Sequence, residues 1–308
     1  MDLLYFFEGL RTPFLNSLFS LITQLGEETV FIVVGILFFW CINKREGYYM
    51  LTVGLVGTVI NQFLKLWFRI PRPWVRDPDF TIVESARAEA TGYSFPSGHT
   101  QSAVGTFGSI ARWNKPLWVR ILCIAVCVLV PLSRMWLGVH TPADVGVSFL
   151  VALVLVFGLY PIMQRAMDNK TTMRILMAVL AAAAAAFLVF VYVYPFPADI
   201  DPHNYESGMK NAYKMLGCLI ALWLTYEVDS AYTHFDTKAV WWAQVLKMVV
   251  GLIPLLLIKS VLKTPLHNLI GDIYVADGIR YFLLTAFAGC VWPLTFRLWG
   301  RLGNKSNG

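Results

Sequence analysis

The sequence predicts an all-α protein: a polytopic membrane helix bundle of about nine spans, preceded by an N-terminal helical segment in the membrane interface. Two observations carry that expectation. The mean hydropathy is +0.60, with 57% hydrophobic and only 14% charged residues among 308, whereas a soluble globule carries nearer ~25% charge. Apolar stretches approaching the ~20 residues needed to cross a bilayer recur near 28–42, 48–68, 98–112, 117–137, 142–163, 173–194, 210–228, 240–262 and 279–298.

Taken in order, residues 3–22 are apolar but interrupted by Glu8, Gly9, Arg11 and Pro13. They read as one or two interfacial helices, with a tenth span kinked at Pro13 as the alternative. Asp2 and the lack of a basic leader argue against a cleavable signal. The stretch 28–42 is short. The stretch 98–112 is short and relatively polar, and is taken as a helix because the motif at its start needs one. The alanine run 181–186 lies within a span and allows close helix packing. The expected organisation is an interfacial segment over 1–24, a core bundle over 25–165 and additional helices over 166–308. The five cysteines (41, 123, 127, 218 and 290) fall in or at the ends of spans and form no C-x-x-C, so neither a structural disulfide nor a metal site is expected.

Short loops set the orientation. Lys44 and Arg45, then Arg112, Lys115 and Arg120, then Arg165, Lys170 and Arg174 fall on one side, joined by Arg297, Arg301 and Lys305. The positive-inside rule makes that side cytoplasmic. Lys65, Arg69, Arg72, Arg76, Arg87 and Arg134 fall on the other, where cations need a different reason. Phosphate binding supplies one, so the active site is expected to face outside. The pI of about 9.0 reflects these two sets of cations. No basic run with interleaved aromatics occurs, so nucleic acid is not an expected partner.

Three polar segments interrupt the apolar sequence: Lys65 to Pro73, Pro96 to His99, and Ser133 to Asp144. Charge at the end of a span is costly unless it has a task. Lys65, Arg69 and Arg72, at i, i+4 and i+7, are expected on one helix face, which Pro71 and Pro73 terminate. Arg69 is read as snorkelling to lipid headgroups; Lys65 offers a point charge and Arg72 a fork for phosphate. Ser97 can cap a helix whose first N–H groups point at an anion, with Gly98 allowing close approach and His99 in the first turn. Thr141, Pro142 and Asp144 make a helix start in their own right. Asp144 also lies four residues after His140, so its carboxylate can fix the imidazole tautomer. Arg134 completes the cradle. Three cations, two histidines and one carboxylate suit phosphate transfer through histidine with no metal or cofactor, because fixed charges and N–H dipoles can stabilise the transferring oxygens.

The spacing K-x6-R-P, P-S-G-H and S-R-x5-H-x3-D resembles the tripartite signature of the type 2 phosphatidic acid phosphatase superfamily, over residues 48–163. The resemblance implies His140 as nucleophile forming a phosphohistidine, His99 as general acid and Asp144 as the third catalytic residue. It implies Lys65, Arg72, Ser97, Gly98 and Arg134 as phosphate ligands. The implied substrate is a lipid phosphate or diphosphate whose tail stays in the bilayer. Water or an alcohol can accept the phosphoryl group, so hydrolase and phosphotransferase stand side by side. The extended C-terminal half resembles the nine-span plan of glucose-6-phosphatases, which keeps a small soluble ester open. The compact His140–Asp144 segment looks more like bacterial lipid phosphatases, which implies a bacterial plasma membrane. Against a transporter or scramblase stand the intact catalytic residues; against the soluble vanadium haloperoxidases that share the signature stands the hydropathy.

The remaining polar residues read plainly. Residues 73–95 are expected as a solvated outer loop over the site. Asn61 and Gln62 are expected to bond between helices, Lys247 and Lys259 to snorkel, and Glu227, Asp229 and Asp236 to line an inner loop. Asp199, Asp201, His203 and Glu206 are candidates for the rim of the site.

Overall fold

The computed structural model describes residues 1–302; Lys305 lies outside the described residues. Among the described residues every regular element is helical. They are α1 (Asp2–Gly9), α2 (Pro13–Gln24), α3 (Glu28–Leu37), α4 (Lys44–Phe68), α5 (Pro73–Arg76), α6 (Gly98–Trp113), α7 (Leu117–Trp136), α8 (Pro142–Asp168), α9 (Lys170–Val193), α10 (Pro202–Val228), α11 (Trp241–Ser260), α12 (Lys263–Ile270), α13 (Ile273–Ala286) and α14 (Phe296–Arg301), with short 3₁₀ and π turns between some of them.

The chain is an integral membrane helix bundle, but nine spans are not what the helices provide. Six segments are long and apolar enough to cross: 44–76, 117–136, 142–168, 170–193, 241–270 and 273–301. A seventh exists if α2 and α3, bent by 47°, form one broken span. The expected span at 28–42 therefore stands only with α2 as its partner. The helix α6 has 16 residues, too few for the bilayer core, and its buried face carries Thr100, Gln101, Thr106 and Ser109. The helix α10 has 27 residues but carries Glu206, Lys210, Lys214 and Glu227 along it, and does not pass either.

The chain divides into two compact units, and the division interleaves along the sequence. The first comprises residues 1–34, 49–164 and 193–208. Its N-terminal helices start where the sequence says they should: Thr12 caps α2, its hydroxyl accepting from Leu15 N at 3.3 Å, and Pro13 occupies the first turn. Helices α1 and α2 then pack on the end of α7. The Trp136 ring stacks on Phe19 at 4.6 Å and meets Phe7 at 5.7 Å, and its indole N–H donates to Asn16. Arg11, in the turn between α1 and α2, donates to the Trp136 carbonyl at 3.1 Å and the Thr81 carbonyl at 2.8 Å.

The connection 73–95 is solvated on one side only. Glu84, Arg87 and Asp79 are exposed, but Phe80 and Ile82 are buried in one cluster with Leu4, and Ala86 in another with Trp136 and Leu137. Its backbone is also tied down: Val83 N donates to the Leu137 carbonyl and Ser94 N to the Ile70 carbonyl. Apolar residues in a loop this long are what fix it over the end of α7.

The second unit comprises residues 35–48, 165–192 and 209 onward. Several of its charged side chains are paired within it. Lys44 meets Asp229 at 2.8 Å, and Arg174 grips Glu227 with two bonds of 2.7 and 2.8 Å. Lys247 does not snorkel. It is buried at 1% exposure, donating to the Trp40 and Thr237 carbonyls, with the Phe296 ring 4.4 Å away. Those carbonyls replace the water a lysine would otherwise seek.

Candidate active site

All the motif residues lie in the first unit, and the local backbone explains their positions. Lys65 is on the last turn of α4, its ammonium donating to the Tyr93 carbonyl. The helix stops at Phe68, earlier than the shared face of Lys65, Arg69 and Arg72 requires. The reason is Pro71, because proline disfavours helical backbone in the residue before it, here Ile70. Arg69 takes a left-handed φ of 50°, and Arg72 is extended, with φ −66° and ψ 155°. Freed from the helix, Arg72 reaches a different set of partners from Lys65.

The Arg72 fork is held at every nitrogen. Nε donates to the Gly92 carbonyl at 3.1 Å, Nη2 to the Thr91 carbonyl at 2.8 Å and Nη1 to the Val139 carbonyl at 3.0 Å. Nη1 also lies 2.9 Å from His140 Nε2. A guanidinium has no acceptor, so Nε2 must present its lone pair there and Nδ1 carries the proton. Nδ1 faces Asp144 Oδ2 at 3.5 Å, an ion-pair distance too long for a hydrogen bond. The same carboxylate oxygen accepts from Ser94 Oγ at 2.6 Å and Thr141 N at 2.7 Å. Thr141 Oγ1 in turn accepts from Asp144 N at 3.3 Å, which closes a reciprocal capping box at the start of α8. Asp144 thus caps α8 and faces the histidine at once.

Gly138, at φ 82°, turns the chain from α7 into this loop. A Cβ there would come within 2.7 Å of Arg11 Nη2 and 3.0 Å of the Phe80 ring, so both backbone and space call for glycine.

Arg134 is fully buried at 0% exposure. Its Nη1 donates to Thr23 Oγ1 on α2 at 2.9 Å, while Nε and Nη2 have no acceptor among the described residues. Nε and Nη2 form one edge of the fork, the edge that takes an oxyanion with two parallel bonds.

Ser97 caps α6, its Oγ accepting from Thr100 N at 3.4 Å and from Thr100 Oγ1 at 3.1 Å. Its N–H donates to the Asp144 carbonyl and its carbonyl accepts from Ser148 Oγ, so the start of α6 is tied to α8. Above Gly98 nothing comes within contact except Asn61 Oδ1, 4.0 Å from where a Cβ would sit. The Asn61 amide is buried and makes no hydrogen bond among the described residues, so the interhelical bond expected of it is not formed. His99 Nε2 lies 3.6 Å from Glu89 Oε2, an ion-pair distance, and Glu89 Oε1 accepts from Gln24 at 3.2 Å.

The electrostatics follow the geometry. In the loop between α7 and α8, burial first, then the charges of Arg72, Arg134, Lys65 and His99, keep the His140 imidazole neutral, far below its ordinary pKa. A neutral imidazole retains the lone pair an attack requires. Glu89 is held well below the usual carboxylate range, chiefly by His99, and so stays ionised beside that ring.

The eight residues singled out by spacing therefore converge on one end of this unit. Three others at the site carried no spacing signal: Thr23, Glu89 and Ser94. A cavity of about 660 Å³ adjoins Arg72, lined also by Arg69, Trp74 and Tyr93. Arg69 is turned back into the protein, donating to the Leu66 carbonyl with its guanidinium 5.8 Å from the Tyr194 ring, rather than snorkelling into lipid. Asp199, Asp201 and His203 are among the cavity's lining residues; Glu206 is not.

A membrane helix bundle with cations arrayed around a histidine–carboxylate pair is the equipment of a membrane phosphatase. The chain belongs to the PAP2 superfamily, whose model matches residues 45–168; a second model, the transmembrane extension of PAP2 superfamily phosphatases, matches 213–305. Phosphatidylglycerophosphatase B of Bacillus subtilis is 30% identical over 161 residues, covering 48% of this chain and 75% of that protein. Undecaprenyl-diphosphatase BcrC of the same organism is 33% identical over 116 residues, covering 37% and 56%. Sphingosine-1-phosphate phosphatase 1 of Mus musculus is 29% identical over 164 residues, covering 50% and 36%. No solved structure matches the chain.

Proposed function

We propose that the chain hydrolyses a phosphate or diphosphate ester of a lipid through a phosphohistidine at His140, at a site on the outer face of a bacterial plasma membrane. The observation that carries this is the lone pair of His140 Nε2, held beside Arg72 in a ring that includes Lys65 and the open edge of Arg134. The phosphate takes the Arg134 edge and the first N–H groups of α6. Nε2 bonds to phosphorus as the P–O bond to the lipid breaks, and His99 gives the leaving oxygen its proton. Water then attacks phosphorus, the P–N bond breaks, and His99 takes the proton back. Asp144 steadies the ring through Nδ1. Fixed cations supply the positive charge in this reading; among the described residues no three His, Cys, Asp or Glu side chains form a ligand group for a metal ion. The names of the two Bacillus relatives, a phosphatidylglycerophosphatase and an undecaprenyl-diphosphatase, support a lipid substrate.

The test is phosphate release by purified protein from phosphatidate, phosphatidylglycerophosphate, undecaprenyl diphosphate, a sphingoid-base phosphate and glucose 6-phosphate. Release is expected from one or more of the lipids, to persist in EDTA, and to be blocked by vanadate as a mimic of five-coordinate phosphorus. Release from the sugar phosphate alone, or loss in EDTA restored by Mg²⁺, overturns the proposal. Sidedness is a separate measurement. Glu84 is exposed on the loop over the site, its side chain 72% accessible. In intact cells Glu84→Cys should react with a membrane-impermeant maleimide; labelling only after the membrane is opened would put the site on the cytoplasmic face.

A further inference from the structure

Helices α4 and α6 run antiparallel against each other, and the contacts at their glycines fix the register. A Cβ on Gly98 would meet Asn61 Oδ1 at 4.0 Å, one on Gly57 would strike the Gln101 amide, and one on Gly105 would meet Val53 at 3.6 Å. The same register sets Thr52 level with Thr106. The seam is buried: Asn61 is 2% exposed, Gln101 4%, Thr106 1% and Thr52 0%. It is also unpaired. Both amide atoms of Asn61, both of Gln101 and the hydroxyls of Thr52 and Thr106 make no hydrogen bond among the described residues. Buried polar atoms without partners cost stability, and apolar side chains of the same shape would remove that cost. A polar group inside a membrane bundle therefore calls for a task.

Asn61 stands at the end of the seam that opens on the phosphate cradle. Lys65 follows it by four residues on the same face of α4, one of its ammonium donors taken by the Tyr93 carbonyl. Opposite lies Gly98, half-buried in the first turn of α6, where N–H groups have no partner inside the helix. Among the described residues the Asn61 amide is the one group within 4 Å of a Cβ placed there. Half a turn of that amide about its last bond presents Nδ2, with its two N–H donors, in place of Oδ1. We infer that Asn61 is a further phosphate-binding residue, its Nδ2 donating to a phosphoryl oxygen held at the start of α6 between Lys65 and Gly98. This deepens the phosphatase reading and rests on it. A donor fixed in a buried seam binds a developing oxyanion more strongly than one facing water. Thr106, eight residues along α6 from Gly98, lies about 12 Å deeper at the rise of a helix, beyond reach of the phosphate.

The experiment compares Asn61→Leu, which keeps the shape and removes both polar atoms, with Thr106→Val, which makes the same kind of change deeper in the seam. Full-length protein is assayed for kcat/KM on the substrate panel, for inhibition constants with vanadate and inorganic phosphate, and for Tm. Asn61→Leu should lower kcat/KM by about tenfold to a hundredfold on every substrate alike and raise both inhibition constants by about threefold or more, the scale of one charge-assisted contact. Its Tm should hold or rise, since an unpaired amide is gone. Thr106→Val should hold both Tm and kcat/KM. An inhibition constant is read from the molecules that remain active, so a loss of folded protein does not move it. A fall in kcat/KM with both inhibition constants unchanged, whatever the Tm, assigns the amide to helix packing or to buried water and overturns the inference. So does an unchanged kcat/KM in Asn61→Leu, or an equal fall in Thr106→Val. Each of these results leaves the phosphatase reading standing. Wild-type protein that releases phosphate from no member of the panel defeats both.

Discussion

Replacement of His140 by alanine stops turnover on every substrate, with a loss of about four decades or more, the scale on which removal of a catalytic nucleophile registers in other hydrolases. The expectation rests on geometry. Nε2 presents a lone pair to Arg72, Nδ1 faces Asp144, and no second imidazole offers the same arrangement, since His99 faces Glu89. His99→Ala separates the two roles. A general acid contributes about two to four decades, but only when the leaving oxygen is a poor one. His99→Ala should therefore be crippled on an alkyl phosphate and much less affected on p-nitrophenyl phosphate, whereas His140→Ala fails on both. Initial rates of phosphate release on the two substrates check it; near-normal release by His140→Ala would falsify the phosphohistidine route.

Arg72→Ala should depress kcat/KM for all substrates together. Losing one charge-assisted phosphate contact costs roughly 1.5–3 kcal/mol, or about one to two decades. The loss should reach the upper end of that range, because the same side chain holds the carbonyls of Thr91, Gly92 and Val139 and faces the nucleophile. Arg72→Lys should recover only part, since an ammonium cannot span those acceptors in one plane. A uniform fall across the substrate panel is the expected signature. A change confined to one headgroup would place Arg72 in substrate selection and not in the shared phosphate cradle.

How much of this was legible in the sequence depends on the range of the interaction. The capping box of Thr141 and Asp144 and the cap at Ser97 are set by residues three apart, and both formed as read. The gathering of the cations and histidines was legible because each motif is anchored at a helix end. The end of α4 was within reach, since the residue before Pro71 is disfavoured in helix, but the spacing of Lys65, Arg69 and Arg72 suggested a longer one. Hydropathy alone overcounted the spans. The helix α6 is short and polar because it is covered by other helices, and a sequence window does not register that cover. Thr23 and Glu89 reach the site only through tertiary closure, across 111 residues in the case of Thr23 and Arg134. No local pattern encodes such a contact.

That long-range bond has a consequence for where the enzyme begins. The segment from α4 to α8 carries every motif residue, so a polypeptide trimmed to it would look complete on paper. It would lack Thr23, the hydroxyl that leaves two nitrogens of Arg134 free by engaging the third, and Arg11, which holds the carbonyls of Trp136 and Thr81. During synthesis the first two helices must wait for α7 before either contact can form. Any fusion, tag or cleavage that displaces the N-terminus therefore acts on the phosphate cradle, although no motif residue lies within the first 64 positions of the chain.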